Sequence, residues 1–283
     1  MTTVAPGAEV APGLVLRERL SRGVLGETWR AERGLQPVAV KLTADPQGAL
    51  LLERECRLGE TLAHPRLVTW GGFMVHADGL ALAQAPFLPG GDARALAART
   101  PAEALGALAE VADALAHLHA RGIVHRDLKP ANVLLDAEGR PHLIDLSVAG
   151  TLGPDPSGLQ VEGGLTPSVA SPEQRAGQPA QPADDAWALG LLVREVAPRM
   201  PARVSALVEQ LLDDDPRARP TAEAARDVLR RAAHEAAVSL VPPPRAVAAR
   251  VAPIPARVGS AAEAPRVSAA GAAGAAPWRA RLG

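Results

Sequence analysis

The sequence predicts an α+β chain in two unlike lobes: a small β-rich N-terminal lobe with one main helix, and a larger, mostly helical C-terminal lobe. Three observations predict it. Short β-branched runs broken by glycine fill the first third of the chain, with one helical stretch among them. Longer helical periodicities dominate beyond residue 100. The turn-rich "PGGD" (Pro89–Asp92) falls between the two regions.

In chain order, residues 1–13 read as a flexible leader. "LVLRERLSRGVLGETWRAER" reads as two strands around a turn at Gly23 and Gly26, and "PVAVKLT" as a third. A helix then starts with Asp45 as N-cap and Pro46 at its first position. Leu51, Glu55, Leu58 and Leu62 share one face of it, and Glu55 on that apolar stripe needs a partner. Residues 66–88 read as two or three strands. A helix from Pro101 to Arg121 buries Leu108, Val111, Leu115 and Leu118, and Gly122 stands where a helix C-terminus favours glycine. "VLLD" and "PHLIDLS" are short strands. Residues 150–183 form a long loop, and three helices follow at "DDAWALGLLVREVA", "ARVSALVEQLL" and "TAEAARDVLRRAAHEAA". The boundaries expected are an N-lobe over 14–87, a C-lobe over 88–238 and a disordered Ala/Pro/Arg-rich tail over 239–283.

Composition narrows the function. The formal net charge of −1 points to neither nucleic acid nor a membrane surface as partner. No stretch has the length and apolarity of a membrane span, and the N-terminus lacks the pattern of a signal peptide. The single cysteine, Cys56, fits a reducing compartment, so a cytoplasmic location is expected. The tail carries six arginines against one glutamate, which raises the idea that it docks on an acidic partner or an anionic surface. With two Phe and no Tyr, the core must be aliphatic.

The bias against lysine and asparagine is the sharpest clue. Of 30 basic residues, 28 are arginine; the two lysines are Lys41 in "VAVK" and Lys129 in "HRDLKPAN", which also holds the sole asparagine, Asn132. Lysine is a compact point charge, and arginine's planar fork does not replace it. A lysine on a strand can pair with phosphates and with a helix carboxylate, here Glu55.

"HRDLKPAN" resembles the catalytic loop of protein kinases, and "LIDLS" resembles their metal-binding motif. "SPEQ" (Ser171–Gln174), "DAWALG" (Asp185–Gly190) and "DPRARPTAEA" with Arg219 resemble later kinase motifs in the family's order. Over roughly residues 14–235 the chain is identified as resembling a bacterial Hanks-type serine/threonine kinase, which implies a two-lobed protein-kinase-like fold, ATP and Mg²⁺ as cofactors, and a protein substrate with a Ser or Thr acceptor. By that resemblance Asp127 is the catalytic base, Lys129 meets the transferring phosphate, and Asn132 and Asp145 hold the metal. Lys41 positions the nucleotide phosphates and is held by Glu55. Ser21, Gly23, Gly26, Thr28, Ala39, Leu88 and Leu134 line the nucleotide. Glu173 and Arg219 form a buried ion pair, Asp185 holds the catalytic loop, and Thr166 lies beside Asp127. Arg126 is placed to clamp a phosphate on the activation segment, with Ser157 the freest acceptor.

Three departures from the family pattern raise an alternative, a pseudokinase acting as a nucleotide-binding or scaffolding module. Ser21 replaces the first loop glycine. Ser147 replaces the metal motif's glycine and is uncomfortable if its φ is positive. Gly59 replaces a bulky residue four positions after Glu55, so a gap and a poorly locked helix are expected there, with Gly59→Leu raising activity.

Overall fold

The computed structural model describes residues 4–23, 26–152 and 166–239. It is the two-lobed α+β fold expected. The N-lobe is a six-stranded antiparallel sheet, β1 (Glu9–Ala11), β2 (Leu14–Arg22), β3 (Glu27–Arg33), β4 (Gln36–Thr43), β5 (Gly71–Val75) and β6 (Ala81–Pro86), in the order β1-β2-β3-β4-β6-β5. Helix α1 (Pro46–Glu60) packs on one face. The C-lobe holds α2 (Pro101–His119), the short strands β7 (Ile123–Val124), β8 (Val133–Leu135), β9 (Pro141–Leu143) and β10 (Gly150–Thr151), the four-residue helix α3 (Pro172–Arg175), and α4 (Pro182–Val196), α5 (Ala202–Leu211) and α6 (Ala222–Ser239).

Alternation along β4 sets the two faces of the sheet. Val40 and Leu42 enter one apolar cluster with Leu14, Leu16, Trp29 and Leu82. Ala39 and Lys41 therefore point to the other face, toward α1. The first cluster also takes in Val10 and Ala11, which corrects the flexible leader: Glu9–Ala11 is a strand on the sheet edge, because those two side chains have an apolar face to cover. Residues 66–88 form two strands rather than three. The segment before β5 pairs instead with the C-lobe, where the Val68 amide donates to Leu143 O and the Leu143 amide to Arg66 O, at 3.0 and 2.8 Å.

Helix α1 begins as predicted, with Asp45 Oδ1 accepting from the Gly48 amide at 2.7 Å. Its buried residues include Leu52, Glu55, Cys56 and Gly59; of the face expected, Glu55 is buried, Leu58 and Leu62 pack against the C-lobe core, and Leu52 rather than Leu51 is the buried leucine of the first turns. The C-lobe core is aliphatic, Ala and Leu of α2 packed against α4 and α6. Helix α6 runs through Ser239, one residue into the expected tail; residues 240–283 and Ser157 lie outside the described residues. Among the described residues no helix is long and apolar enough to cross a membrane.

Candidate active site

The sheet and α1 deliver the first half of the site. Ser21 faces Thr28, Thr28 faces Lys41 and Lys41 faces Ala83 across adjacent strands, so the four lie in one row on the α1 side. The Gly23 amide donates to Gly26 O at 2.8 Å and closes the base of the β2–β3 turn. A Cβ on Gly26 would sit 2.5 Å from Leu42 O, so the strand requires glycine there. Ala39 pairs with Ala85 where β6 enters the linker that holds Leu88. Leu134 lies between the core residues Val133 and Leu135 on β8 and bridges to Asp92 beyond that linker.

Lys41 Nζ lies 2.7 Å from Glu55 Oε2 and 3.7 Å from Asp145 Oδ1. The other oxygen of Glu55 accepts from the Leu146 amide at 2.8 Å, so this one carboxylate joins β4, α1 and the metal-motif segment. Burial opposes charge on Lys41, but Glu55 and Asp145 outweigh it and raise its pKa well above the usual lysine value. Burial opposes ionisation of Asp145 too, yet Lys41 and hydrogen bonds from Ser147 bring its pKa down to about 2. Glu55 goes the other way: burial pushes its pKa up, against the pull of Lys41.

The expected gap at Gly59 is absent. A Cβ there would lie 2.6 Å from Thr69 Cβ, so Thr69 already occupies the space. Trp70, the next residue, packs against the cluster of Leu52, Cys56 and Ala83, with Lys41 Nζ 5.8 Å from its ring centroid. Helix α1 stands with Glu55 in contact with Lys41, and the expected gap beneath Gly59 is corrected. The sequence reading missed Trp70 because its contacts come from three other elements. Arg54 was missed as well: its Nη2 donates to Ala149 O at 2.6 Å and ties α1 to the segment after Asp145.

The C-lobe supplies the second half. Gly122, at φ 70°, ends the turn after α2, and β7 pairs with β10. The loop between β7 and β8 carries His125 to Asn132. Asp185 holds it from α4, accepting from the His125 and Arg126 amides at 2.8 and 2.7 Å and from His119 Nε2 at 2.8 Å. Burial opposes the charge on Asp185, but these donors outweigh it and lower its pKa. His125 Nε2 donates to Ile144 O at 2.9 Å, which links the loop to the residue before Asp145. Asp127 Oδ2 accepts from Lys129 Nζ at 2.7 Å and Asn132 Nδ2 at 2.9 Å. Asp127 Oδ1 is buried with no partner among the described residues. Lys129 Nζ also donates to Thr166 Oγ1 at 2.9 Å, so Thr166 does lie beside Asp127.

Among the described residues two that are not glycine have a left-handed backbone, Arg126 at φ 67° and Asp145 at φ 70°. Ser147 is not one of them, so the concern about its lost glycine is removed: the strained residue of that motif is Asp145 itself, and aspartate tolerates the region. Ser21 follows an irregularity in β2 but has no positive φ, so it needs no glycine either.

The oxygen donors fit a magnesium ion. Asn132 spends its amide nitrogen on Asp127, which leaves its oxygen available, and Asp145 adds a carboxylate. One lysine faces two carboxylates at Lys41, so the cluster carries excess negative charge. An ion that takes a few protein oxygens and fills its other positions with water and phosphate suits that donor set.

Comparison with known proteins agrees with this geometry. The sequence profile described as "Protein kinase domain" matches residues 16–203. The serine/threonine-protein kinase PkaA of Streptomyces coelicolor is 34% identical over 213 residues, 66% of this chain and 39% of that protein. PkaB of the same organism is 34% identical over 196 residues, 62% of this chain and 46% of that protein. Pkn2 of Myxococcus xanthus is 32% identical over 217 residues, 70% of this chain and 26% of that protein. The chain therefore spans less than half the length of each of these relatives.

Proposed function

From the premise that this chain belongs to the protein kinase family, we propose that it transfers the γ-phosphate of ATP to serine or threonine hydroxyls of protein substrates. The observation that carries the reading is the asymmetry of Asp127. One oxygen is fixed by Lys129 and Asn132, and the other is buried with no partner among the described residues. An oriented carboxylate with one free oxygen is suited to take the proton of an incoming hydroxyl.

Protein kinases use ATP and Mg²⁺. In this chain Asp145 and Asn132 would hold the ion, which when bound neutralises phosphate charge. Lys41 binds and aligns nucleotide phosphates, and Glu55 fixes Lys41. Lys129 stands beside Asp127, where a lysine stabilises charge on the group in transfer. The glycine turn and the row from Ser21 to Ala83 roof the nucleotide, with Ala39, Leu88 and Leu134 around its base. Catalysis of this kind rests on positioning and charge rather than covalent chemistry.

The pseudokinase alternative has lost its motives. Thr69 fills the space at Gly59, and neither Ser147 nor Ser21 has a positive φ. The deciding experiment is transfer from γ-labelled ATP to a generic basic protein, with and without EDTA, followed by analysis of the modified amino acids. Phosphoserine and phosphothreonine formed only with magnesium are expected. Nucleotide binding without any transfer would overturn the reading.

A further inference from the structure

Gln174 has no part in the reading above, and its side chain reaches the backbone of the catalytic loop. It is 5% exposed, and its Nε2 donates to Arg126 O at 2.8 Å, across 48 residues of sequence. Arg126 directly precedes Asp127 and has the left-handed φ of 67°. A long side chain keeps that backbone only where its surroundings fix it.

The peptide between Arg126 and Asp127 is planar, so fixing its two ends fixes the plane on which Asp127 is mounted. At one end Gln174 holds Arg126 O. At the other, the Asp127 amide donates to His125 Nδ1 at 3.3 Å. Asp185 holds the two preceding amides. Gln174 itself stands on a rigid base. Its amide donates to Ser171 Oγ at 3.0 Å, and that hydroxyl donates to Asp184 Oδ1 at 2.7 Å. Its neighbour Glu173 is pinned by both Nη atoms of Arg219.

We propose that Gln174 is a positioning residue for Asp127: through Arg126 O it sets the orientation of the base, and so couples the end of the activation segment to phosphoryl transfer. The inference rests on the kinase reading. A side chain at this point must donate, since the group it meets is a carbonyl. The charged groups around it are committed elsewhere: Asp184 to Ser171 and Gln181, Asp185 to His119 and two amides, Glu173 to Arg219. Arg175 Nε faces Ser171 O at 3.4 Å, and the Arg126 guanidinium Nε is buried without a partner among the described residues.

The test compares Gln174→Met, similar in length but with no donor, and Gln174→Glu, which donates only when protonated. At pH 8 both should lower kcat by about tenfold or more, with KM for ATP nearly unchanged. As pH falls, kcat of Gln174→Glu should recover relative to Gln174→Met, since the protonated carboxyl restores the hydrogen bond. A merely structural role would move the unfolding midpoint of Gln174→Glu with pH and leave kcat per folded molecule unchanged. Wild-type kcat in both variants, or a ratio between them that does not change with pH, overturns the proposal. If the wild type transfers no phosphate, the kinase reading fails separately. Hydrogen exchange of the amides of residues 124–128 then decides: faster exchange in Gln174→Met supports the positioning role, and equal exchange overturns it.

Discussion

Among the ion pairs of the described residues, one in each lobe stands out, fully buried in the C-lobe and half-buried on its lysine side in the N-lobe, and the two are built to opposite standards. In the C-lobe, Arg219 meets both oxygens of Glu173 at 2.9 and 3.0 Å. It also donates to Asp213 O and Ala183 O and lies 5.0 Å from the Trp187 ring centroid. Every side is satisfied. In the N-lobe, the single ammonium of Lys41 serves Glu55 and Asp145 together, and one carboxylate oxygen of nearby Asp127 has no partner among the described residues. A saturated pair holds structure. An under-neutralised cluster waits for charge to arrive, which is what a site for metal and phosphate requires. The chain's residue bias agrees: arginine, the default cation here, serves the planar bidentate pair, and lysine is kept where a point charge is needed.

The largest effect should come from the unsatisfied side. Asp127→Asn removes the proton acceptor and keeps the shape, so phosphate transfer should fall by about 10²–10⁴. Nucleotide affinity and melting temperature should stay near wild type. Unchanged turnover would mean that the open oxygen of Asp127 has no catalytic use.

The saturated pair should respond in the reverse sense. Arg219→Ala leaves Glu173 buried and unpaired, which costs about 3–5 kcal/mol of folding stability. Urea unfolding measures it directly. A loss below about 1 kcal/mol would place the pair with ordinary surface contacts.

What the sequence made legible, and what it hid, follows the same divide. Lys41, Asp127, Asn132 and Asp145 could be read because phosphoryl-transfer chemistry dictates their type, and short local segments present them. The partner of Glu55 was legible for a similar reason, since a carboxylate on an apolar helix face must be paired. The strand at Glu9–Ala11 was not, because three residues carry no periodicity and its pairing depends on an apolar face built by β2, β3, β4 and β6. Gly59 misled because a missing side chain reads as a void in one dimension. In the fold, Thr69 fills that space, ten residues away in sequence. Gln174 showed only as a letter in a motif; its role depends on a backbone conformation that the sequence does not display.

Gly59 offers a smaller test, on the N-lobe side. Gly59→Leu gains helix propensity, at most about 1 kcal/mol. It also drives a side chain into Thr69, whose branched Cβ cannot swing away. Overpacking of this kind costs about 1–3 kcal/mol. The variant should therefore be less stable than wild type and no more active. Raised activity would mean that α1 is loosely held despite Thr69 and Trp70.

A dependence on pH belongs to the under-neutralised cluster. Lys41 and the Ser147 hydrogen bonds hold the folded Asp145 pKa at about 2, below an unfolded value of about 3.9. A depressed carboxyl stabilises the fold fully above its unfolded pKa and loses that contribution as pH falls through its folded one. The unfolding midpoints of wild type and Asp145→Asn should therefore differ by a constant amount from pH 7 to about 5, and the gap should narrow between about pH 4 and 2. Glu55 shares the same ammonium at the shorter distance, 2.7 against 3.7 Å. A gap that stays flat through the acid range would show that Asp145 draws no net stabilisation from Lys41, leaving the ammonium to Glu55 alone.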